Sequence, residues 1–593
     1  MDKTPHGKIW TFWLRISVPA QLITVLILAA VFRFSGINWD AGAHLHPDER
    51  FLTMVATSMK WPASVPEYFD TARSRLNPHN IGSGFYVYGT LPVIMVKAVA
   101  ELLKSGDYMN LTLTGRAMSA VCDLVVLLLV YRLAKLMSGL PQAGIMAAFV
   151  YATMALPIQI SHFFTVDPYL TLFAVLGLTL IVSRRENPSA VAFGLAVASK
   201  ISAALVLPAV AVSFLIRFIR HRNVVRSVLS VLGFTLLLAV TVRIAYPYLF
   251  SSGSLTLNPK VLKNWQELKS FDTPGAMFPP ALQWDGTIPI IYPLMNLVFV
   301  GLGLPHALLS IWAGIFLIRN LSRIRKSVFV VISAALVTVF IYHGVQTAKA
   351  IRYFYVLYPL IAVISGVALS VFSGRIRRGA SVTALVMAAL IVWPVAVTGI
   401  YLKPHTRIAA SRWIYAAAPK GSVIAGEHWD DYLPISLTGK LKEDYRIREL
   451  PVFGPDNVEK WKSVATVLAE ADFVTLSSNR AYGSLTRLPV RFPQSRTYYE
   501  KLINGSLGYE IAAQFTSRPN LALPAASVCI RLPFGTYGEI VSRFDDCPQS
   551  GVSFVDDYMD ETWTVYDHPK VIILHNQERL TGQEIFGRIT GNI

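Results

Sequence analysis

Charge is what this 593-residue chain lacks most: Asp, Glu, Lys and Arg make up 15% of it, against about 25% in an average soluble protein. The deficit excludes a water-soluble globular protein, because the apolar residues gather in runs of roughly 18 to 25, long enough to cross a bilayer core. Acids are scarcer than bases, 36 against 54, which leaves a net charge of +18. Many of the bases lie in short loops between apolar runs, as the positive-inside rule expects, so the excess belongs to membrane topology and no nucleic-acid partner is expected. Cysteine is nearly absent, with three residues. Cys122 sits in an apolar run and reads as packing. Cys529 and Cys547 could form one disulfide if their region is extracytoplasmic, or stay free thiols in a reducing compartment, and spacing alone does not decide. There is no internal repeat, which counts against a transporter built from duplicated halves. No cleavable signal is evident. The basic start through Lys3, Lys8 and Arg15, followed by an apolar run, reads as an uncleaved anchor with a cytoplasmic amino end.

What is there is a polytopic α-helical membrane protein of about eleven spans, followed by a C-terminal extracytoplasmic α/β domain. The spans are expected near 16–35, 113–134, 141–160, 167–183, 188–199, 202–218, 225–247, 292–318, 328–344, 353–373 and 381–401. Residues 84–103 are apolar enough to cross. If they did, Arg132, Lys135, Arg184 and Arg185 would fall outside, so they are read as a juxtamembrane segment. The membrane part is then 1–402, with a first outer loop of about 36–112 and a second of about 250–290, and the α/β domain is 403–593. Apolar stretches of strand length support that domain at Ser422–Ala425, Phe473–Ser477, Ser527–Leu532 and Val571–Leu574, with helices near 408–417 and 496–504.

The first outer loop carries Leu45-His46-Pro47-Asp48-Glu49-Arg50-Phe51. Pro47 suits the first turn of a helix and acids there favour its positive end, so capping alone could explain the pair. A helix start at the bilayer face is also a rigid mount for a base. Asp48, with Glu49, could take a proton from an attacking hydroxyl or amine. Asp40 reads as a turn cap. Asp167, before Pro168, is either a helix-start acid or a second acidic group of the site. Arg116 and Asp123 share a helix face near the second span, and charge there needs a partner or a cavity. Lys200, Lys349 and Arg352 map near the outer face, with Gln346, Lys349 and Tyr353 at helical spacing. They could bind a lipid phosphate or snorkel to headgroups.

The order Pro47-Asp48-Glu49, Tyr88-Gly89-Thr90-Leu91-Pro92, Arg116, Asp167-Pro168, Ser199-Lys200 and Arg352-Tyr353 resembles the GT-C superfamily of polyprenyl-phosphate-sugar-dependent glycosyltransferases. The likeness covers roughly residues 10–400 and is greatest to the protein O-mannosyltransferases and the lipid A aminoarabinose transferases. It implies inverting transfer of a sugar from a polyprenyl-phosphate carrier, such as an undecaprenyl- or decaprenyl-phosphate sugar, to an extracytoplasmic glycan, lipid or protein. No other cofactor, metal ligand or divalent metal is expected. Asp48 and Glu49 map to the catalytic acid of the first outer loop. His46, Tyr88 and Asp167 map to site or acceptor support, and Arg352, Lys349, Lys200, Arg116 and Tyr353 to the donor phosphate. The expected setting is a bacterial inner membrane, with the carboxyl end outside. Two features depart from the family. Val87-Tyr88-Gly89-Thr90 replaces the Lys and paired prolines of the aminoarabinose transferases, and Glu427-His428-Trp429-Asp430-Asp431 lacks the spacing of the oligosaccharyltransferase signature, so neither a sequon-reading nor a metal role is given to it. Tyr566-Asp567-His568-Pro569 resembles the extensions of bacterial members. A transporter or lipid-linked-sugar flippase is the alternative function, and a membrane-anchored recognition protein a third.

Overall fold

The computed structural model describes residues 17–375, 379–524, 527–533, 540, 547 and 550–591. Lys3, Lys8, Arg15, Arg377 and Arg378 lie outside the described residues. Helix α1 (Val18–Phe34) leads to the short α2 (Pro47–Ser58) and α3 (Leu91–Leu102), then to the long α4 (Tyr108–Ser138). The α3 helix has 12 residues, about 18 Å of rise, too short for a bilayer core and consistent with a juxtamembrane segment. Next come α5 (Pro141–Ala152), α6 (Ala155–Ser161), α7 (Asp167–Val182), α8 (Glu186–Ser199), α9 (Leu207–His221) and α10 (Val224–Ala245). Beyond the long 250–290 loop and its amphipathic α11 (Pro259–Ser270) lie α12 (Leu304–Arg319), α13 (Lys326–Val345), α14 (Leu357–Ser373) and α15 (Gly379–Tyr401).

Among the described residues, five helical stretches are long and apolar enough to cross a membrane, and two bent pairs would raise that to seven. Val18–Phe34, Asp167–Val182 and Leu357–Ser373 are shorter apolar helices. The chain is an integral membrane protein. Two of the expected straight spans are broken. Within 141–160 the chain bends by 64° between α5 and α6, and within 292–318 it bends by 117° before α12. Each break has a proline four residues downstream. Pro157 cannot donate to the carbonyl of Thr153 and Pro305 cannot donate to that of Gly301, and each ring crowds the carbonyl it fails to bond. Gly303 turns the second bend at φ +76°, where an added Cβ would lie 2.4 Å from the Trp393 ring. The helical spacing expected for Gln346, Lys349 and Tyr353 does not hold either. The α13 helix stops at Val345, and only a 3-10 turn, Ile351–Phe354, precedes α14.

In the C-terminal part, β1 (Val423–Glu427), β2 (Arg446–Leu450), β3 (Phe473–Leu476), β4 (Tyr509–Phe515) and β8 (Val571–Asn576) form one sheet in the order β2-β1-β3-β8-β4. The β1 strand runs parallel to β2 and β3, while β8 is antiparallel to β3 and β4. A smaller sheet joins β5 (Asn520–Leu521), β6 (Ser527–Arg531) and β7 (Gly551–Val555) in the order β5-β7-β6. Cys529 and Cys547 are disulfide-bonded, with Cα atoms 5.9 Å apart. This region is not held at arm's length. Leu532, Met559, Trp563, Val565 and Tyr566 share one apolar core with the membrane helices, and Trp393 of α15 packs on Phe554 and Trp563 at ring distances of 5.2 and 6.5 Å.

The bundle is tightest where α14 crosses α5. A Cβ at Gly366 would lie 2.2 Å from the backbone nitrogen of Ala147, inside contact distance of atoms that cannot turn aside. Gly366→Ala is expected to cost about 1–3 kcal/mol of stability by forcing the two helices apart. Thermal unfolding of the detergent-solubilised protein reads this directly, and an unchanged midpoint would contradict the close crossing.

Candidate active site

The His46-Pro47-Asp48-Glu49 motif begins α2, as its residues predict. Pro47 occupies the first turn, and the His46 side chain caps the helix by accepting from the Glu49 N–H at 3.4 Å. Burial lowers the His46 pKa to about 4, so the ring is neutral and can accept. The buried apolar residues of α2 are Leu52, Val55 and Ala56, with Phe51 half-buried and Met54 exposed, because the helix docks on α3 and α4.

The two adjacent carboxylates part company. Glu49 is fully buried against Arg116 of α4, whose Nε and Nη2 donate to it at 2.9 and 2.5 Å. Arg116 also donates from Nη1 and Nη2 to Asp40 at 3.0 and 2.9 Å, and from Nη1 to the Ile37 carbonyl at 2.9 Å. All five guanidinium protons are thereby used, and the group lies 4.7 Å from the Trp39 ring centre. Glu49 accepts a further bond from the Phe164 N–H at 2.8 Å. Burial raises the Glu49 pKa against the pull of Arg116. Asp40 caps its turn by accepting from the N–H groups of Gly42 and Leu45, and partners Arg116 as well.

Asp48 pairs instead with Arg352, from the 3-10 turn before α14. This pair keeps access to solvent, with 26% of the Asp48 side chain and 16% of the Arg352 side chain exposed. Burial alone would raise the Asp48 carboxyl, but the Arg352 guanidinium outweighs it and holds the pKa at about 2. Lys200 bonds Asp167 at 2.9 Å and lies 5.2 Å from the Tyr353 ring centre, and Arg352 lies 5.8 Å from the same ring. The charges of Asp48, Arg352 and Asp167 are all felt at Tyr88. Gly89 explains how Tyr88 and Lys200 meet. Its N–H donates to the Ser199 carbonyl at 3.1 Å, and a Cβ there would lie 1.8 Å from the Ala198 oxygen. Only glycine allows the loop to press onto the end of α8, where Lys200 begins.

The structure thus brings Asp48, Arg352, Tyr353, Lys200, Asp167, Tyr88 and His46 together. Three residues expected among the catalytic or phosphate-binding groups are placed otherwise. Arg116 has no proton left for a phosphate, and Glu49 is occupied as its counter-ion. Lys349 is buried away from the open pair, with its amine on the Thr347 carbonyl at 3.1 Å. Asp123 does not face Arg116's partners. It pairs with the fully buried Arg33 of α1 and accepts from the hydroxyls of Tyr151 and Tyr355. Arg33 in an apolar run was the available signal for that pair.

The C-terminal part also reaches the site, which sequence reasoning missed. The Tyr566 ring packs on His46 with centres 4.2 Å apart. Asp567 accepts from Gln159 at 3.0 Å, Tyr401 at 2.7 Å and His568 at 2.5 Å. His568 also bonds Asp556 at 3.1 Å, and these carboxylates outweigh burial to raise its pKa to about 10. Asp431 joins Arg50 of α2 at 3.0 Å and Arg407 at 2.8 Å, while Asp430 joins Arg407 at 2.9 Å. Asp431 therefore ties the C-terminal part to α2.

Comparison with known proteins bears on the fold. Residues 107–246 match the family model described as dolichyl-phosphate-mannose-protein mannosyltransferase. An oligosaccharyltransferase of Archaeoglobus fulgidus, solved tethered to an acceptor peptide, has a TM-score of 0.52 at 12% identity, covering 81% of this chain and 72% of its own. ArnT from Cupriavidus metallidurans, bound to undecaprenyl phosphate, has a TM-score of 0.45 at 14% identity, covering 72% of this chain and 86% of its own. EmbB, an arabinosyltransferase of Mycobacterium smegmatis, has a TM-score of 0.36 at 15% identity, covering 63% of this chain and 31% of its own. No curated protein matches the sequence.

The two carboxylates should respond differently to mutation. Arg116→Met leaves Glu49 and Asp40 buried without a counter-ion and is expected to cost about 3–5 kcal/mol. Asp48→Asn, at a partly open pair, should cost about 1 kcal/mol or less. Thermal unfolding of both variants in one detergent checks the contrast, and equal losses would contradict it.

Proposed function

We propose that this membrane protein, which has the fold of the GT-C superfamily, is an inverting glycosyltransferase that moves a sugar from a polyprenyl-phosphate carrier to an extracytoplasmic acceptor. The observation that carries the reading is the Asp48–Arg352 pair: a carboxylate and a guanidinium in contact, partly open, with Lys200 and Tyr353 beside them. The fold and the match over residues 107–246 support it. With the amino end in the cytoplasm, the same topology puts this cluster and the C-terminal part on the outer side.

In this reading Asp48 receives the proton of the acceptor hydroxyl or amine as that atom attacks the anomeric carbon. The bond from that carbon to the phosphate oxygen breaks on the opposite face, which inverts the configuration. The phosphodiester of the donor leaves as a monoester and gains negative charge as it does so. Arg352 and Lys200 meet that growing charge, and an interaction that strengthens toward the transition state is what lowers a barrier. The pair also couples the two halves of the reaction. When the donor phosphate draws on Arg352, Asp48 loses the neighbour that holds its carboxyl at about 2 and becomes a better base. Asp167 keeps Lys200 in place, and His46 starts the helix that carries Asp48.

Asp48→Asn is expected to retain its fold and to lose about 10²–10⁴-fold in transfer from a lipid-monophosphate sugar. Mass spectrometry of envelope lipids, glycans and proteins with and without the protein would identify the product, and full activity in the Asn variant would overturn the assignment. The pH profile offers a separate check. A depressed Asp48 keeps the free enzyme's base ionised down to about pH 2, so kcat/KM should show no acid limb from it in the usual range. In Arg352→Gln the carboxyl rises under the burial that Arg352 had offset. The residual activity should then fall as pH is lowered through that higher pKa, and an unchanged profile would separate Asp48 from the proton transfer.

A further inference from the structure

The C-terminal part sends one aromatic residue into the membrane-borne cluster, and its attachment there is unusually firm. Tyr566 lies over the His46 ring at 4.2 Å, while its carbonyl accepts from His405 at 3.1 Å. On the next residue, Asp567 is held by Gln159 of α6 and Tyr401 of α15, and His568 bridges Asp567 to Asp556. Gln159 also donates to the Trp563 carbonyl at 2.8 Å. All these groups are buried. Such a mount fixes a side chain to the tolerance a binding site needs.

The mounted side chain faces charge. The Tyr566 hydroxyl feels Arg352 first among its charged neighbours and then Asp48. Among the described residues it has no hydrogen-bond partner, and the same holds for the hydroxyls of Tyr88 and Tyr353 around the same pair. Arg352 itself keeps Nε buried and unpartnered. The Arg352 Nε–H is buried without an acceptor, which is costly, and the three hydroxyls around the same pair are donors that no described side chain or backbone group engages. An anion with several oxygens would satisfy them. The Tyr566 hydroxyl suits this role, because burial raises its pKa and keeps the proton in place as a donor.

We infer that Tyr566 contacts substrate directly, donating its hydroxyl proton in a hydrogen bond to the phosphate of a lipid monophosphate held by Arg352. The C-terminal part then completes the active site, and the membrane part alone has an incomplete phosphate pocket. The inference rests on the glycosyltransferase reading, since it takes the ligand's phosphate from there.

Binding of undecaprenyl phosphate to the full-length protein in nanodiscs tests it, with undecaprenol as the uncharged control. The wild type should bind the phosphate and not the alcohol. Tyr566→Phe keeps the ring on His46 and removes only the hydroxyl, so it should weaken phosphate binding about tenfold or more at an unchanged unfolding temperature. A second variant, Tyr566→Trp, keeps a large ring and a donor N–H and should recover part of the loss. If the wild type binds and Tyr566→Phe binds equally well, Tyr566 only packs and the inference fails while the reading of the site stands. If the wild type binds undecaprenol as well as the phosphate, or neither, the lipid-phosphate reading fails, and this inference with it.

Discussion

One buried guanidinium decides where everything else in the site can be. Arg116 lies among apolar helices with no access to water, and a charge there is tolerable only with full compensation. Glu49 and Asp40 supply it, together with the Ile37 carbonyl, and between them they take every proton the group has. Because Glu49 is in the first turn of α2, the clamp fixes the rotation of that helix about its axis. Asp48, one residue earlier, is thereby turned the other way, toward Arg352.

Two carboxylates that look alike in the chain consequently differ in kind. Glu49 is spent on structure, and burial lifts its pKa. Asp48 stays partly open beside the Arg352 cation. The rest of the cluster follows the same economy of placement. Gly89 lets the Tyr88 loop press onto the end of α8, Lys200 starts where that helix stops, and a short 3-10 turn aims Arg352 at the site because α13 ended too early to carry it. The C-terminal part adds Tyr566 on a buried mount of alternating carboxylates and donors.

Much of this was legible in the residues. Apolar runs gave the order of the helices, although five to seven stretches among the described residues are long and apolar enough to cross against about eleven expected, and strand-length runs matched β1, β3, β6 and β8 within a few residues. Pro47 with its acids read correctly as a helix start. The proline rule was readable too, since Pro157 and Pro305 stand inside the two runs that prove to be bent. What misled was helical spacing, applied to Gln346, Lys349 and Tyr353 across a stretch that is not helical.

The sequence by itself determined the class of the protein, because burial of apolar length against lipid depends on local composition. It also determined which residue types could do chemistry. Only the tertiary structure decided their roles, since a role depends on which partner a charge meets far along the chain, from 33 residues for Lys200 and Asp167 to 304 for Arg352 and Asp48. Arg116 and Arg352 are the same residue type in different settings, the first fully buried and the second partly open. One meets two carboxylates and closes, and the other meets one and keeps a donor free. Tyr566 could not be placed from the chain alone, because His46, His405 and Arg352 beside it, and Gln159 and Tyr401 that hold the adjacent Asp567, are neighbours only after the fold has formed.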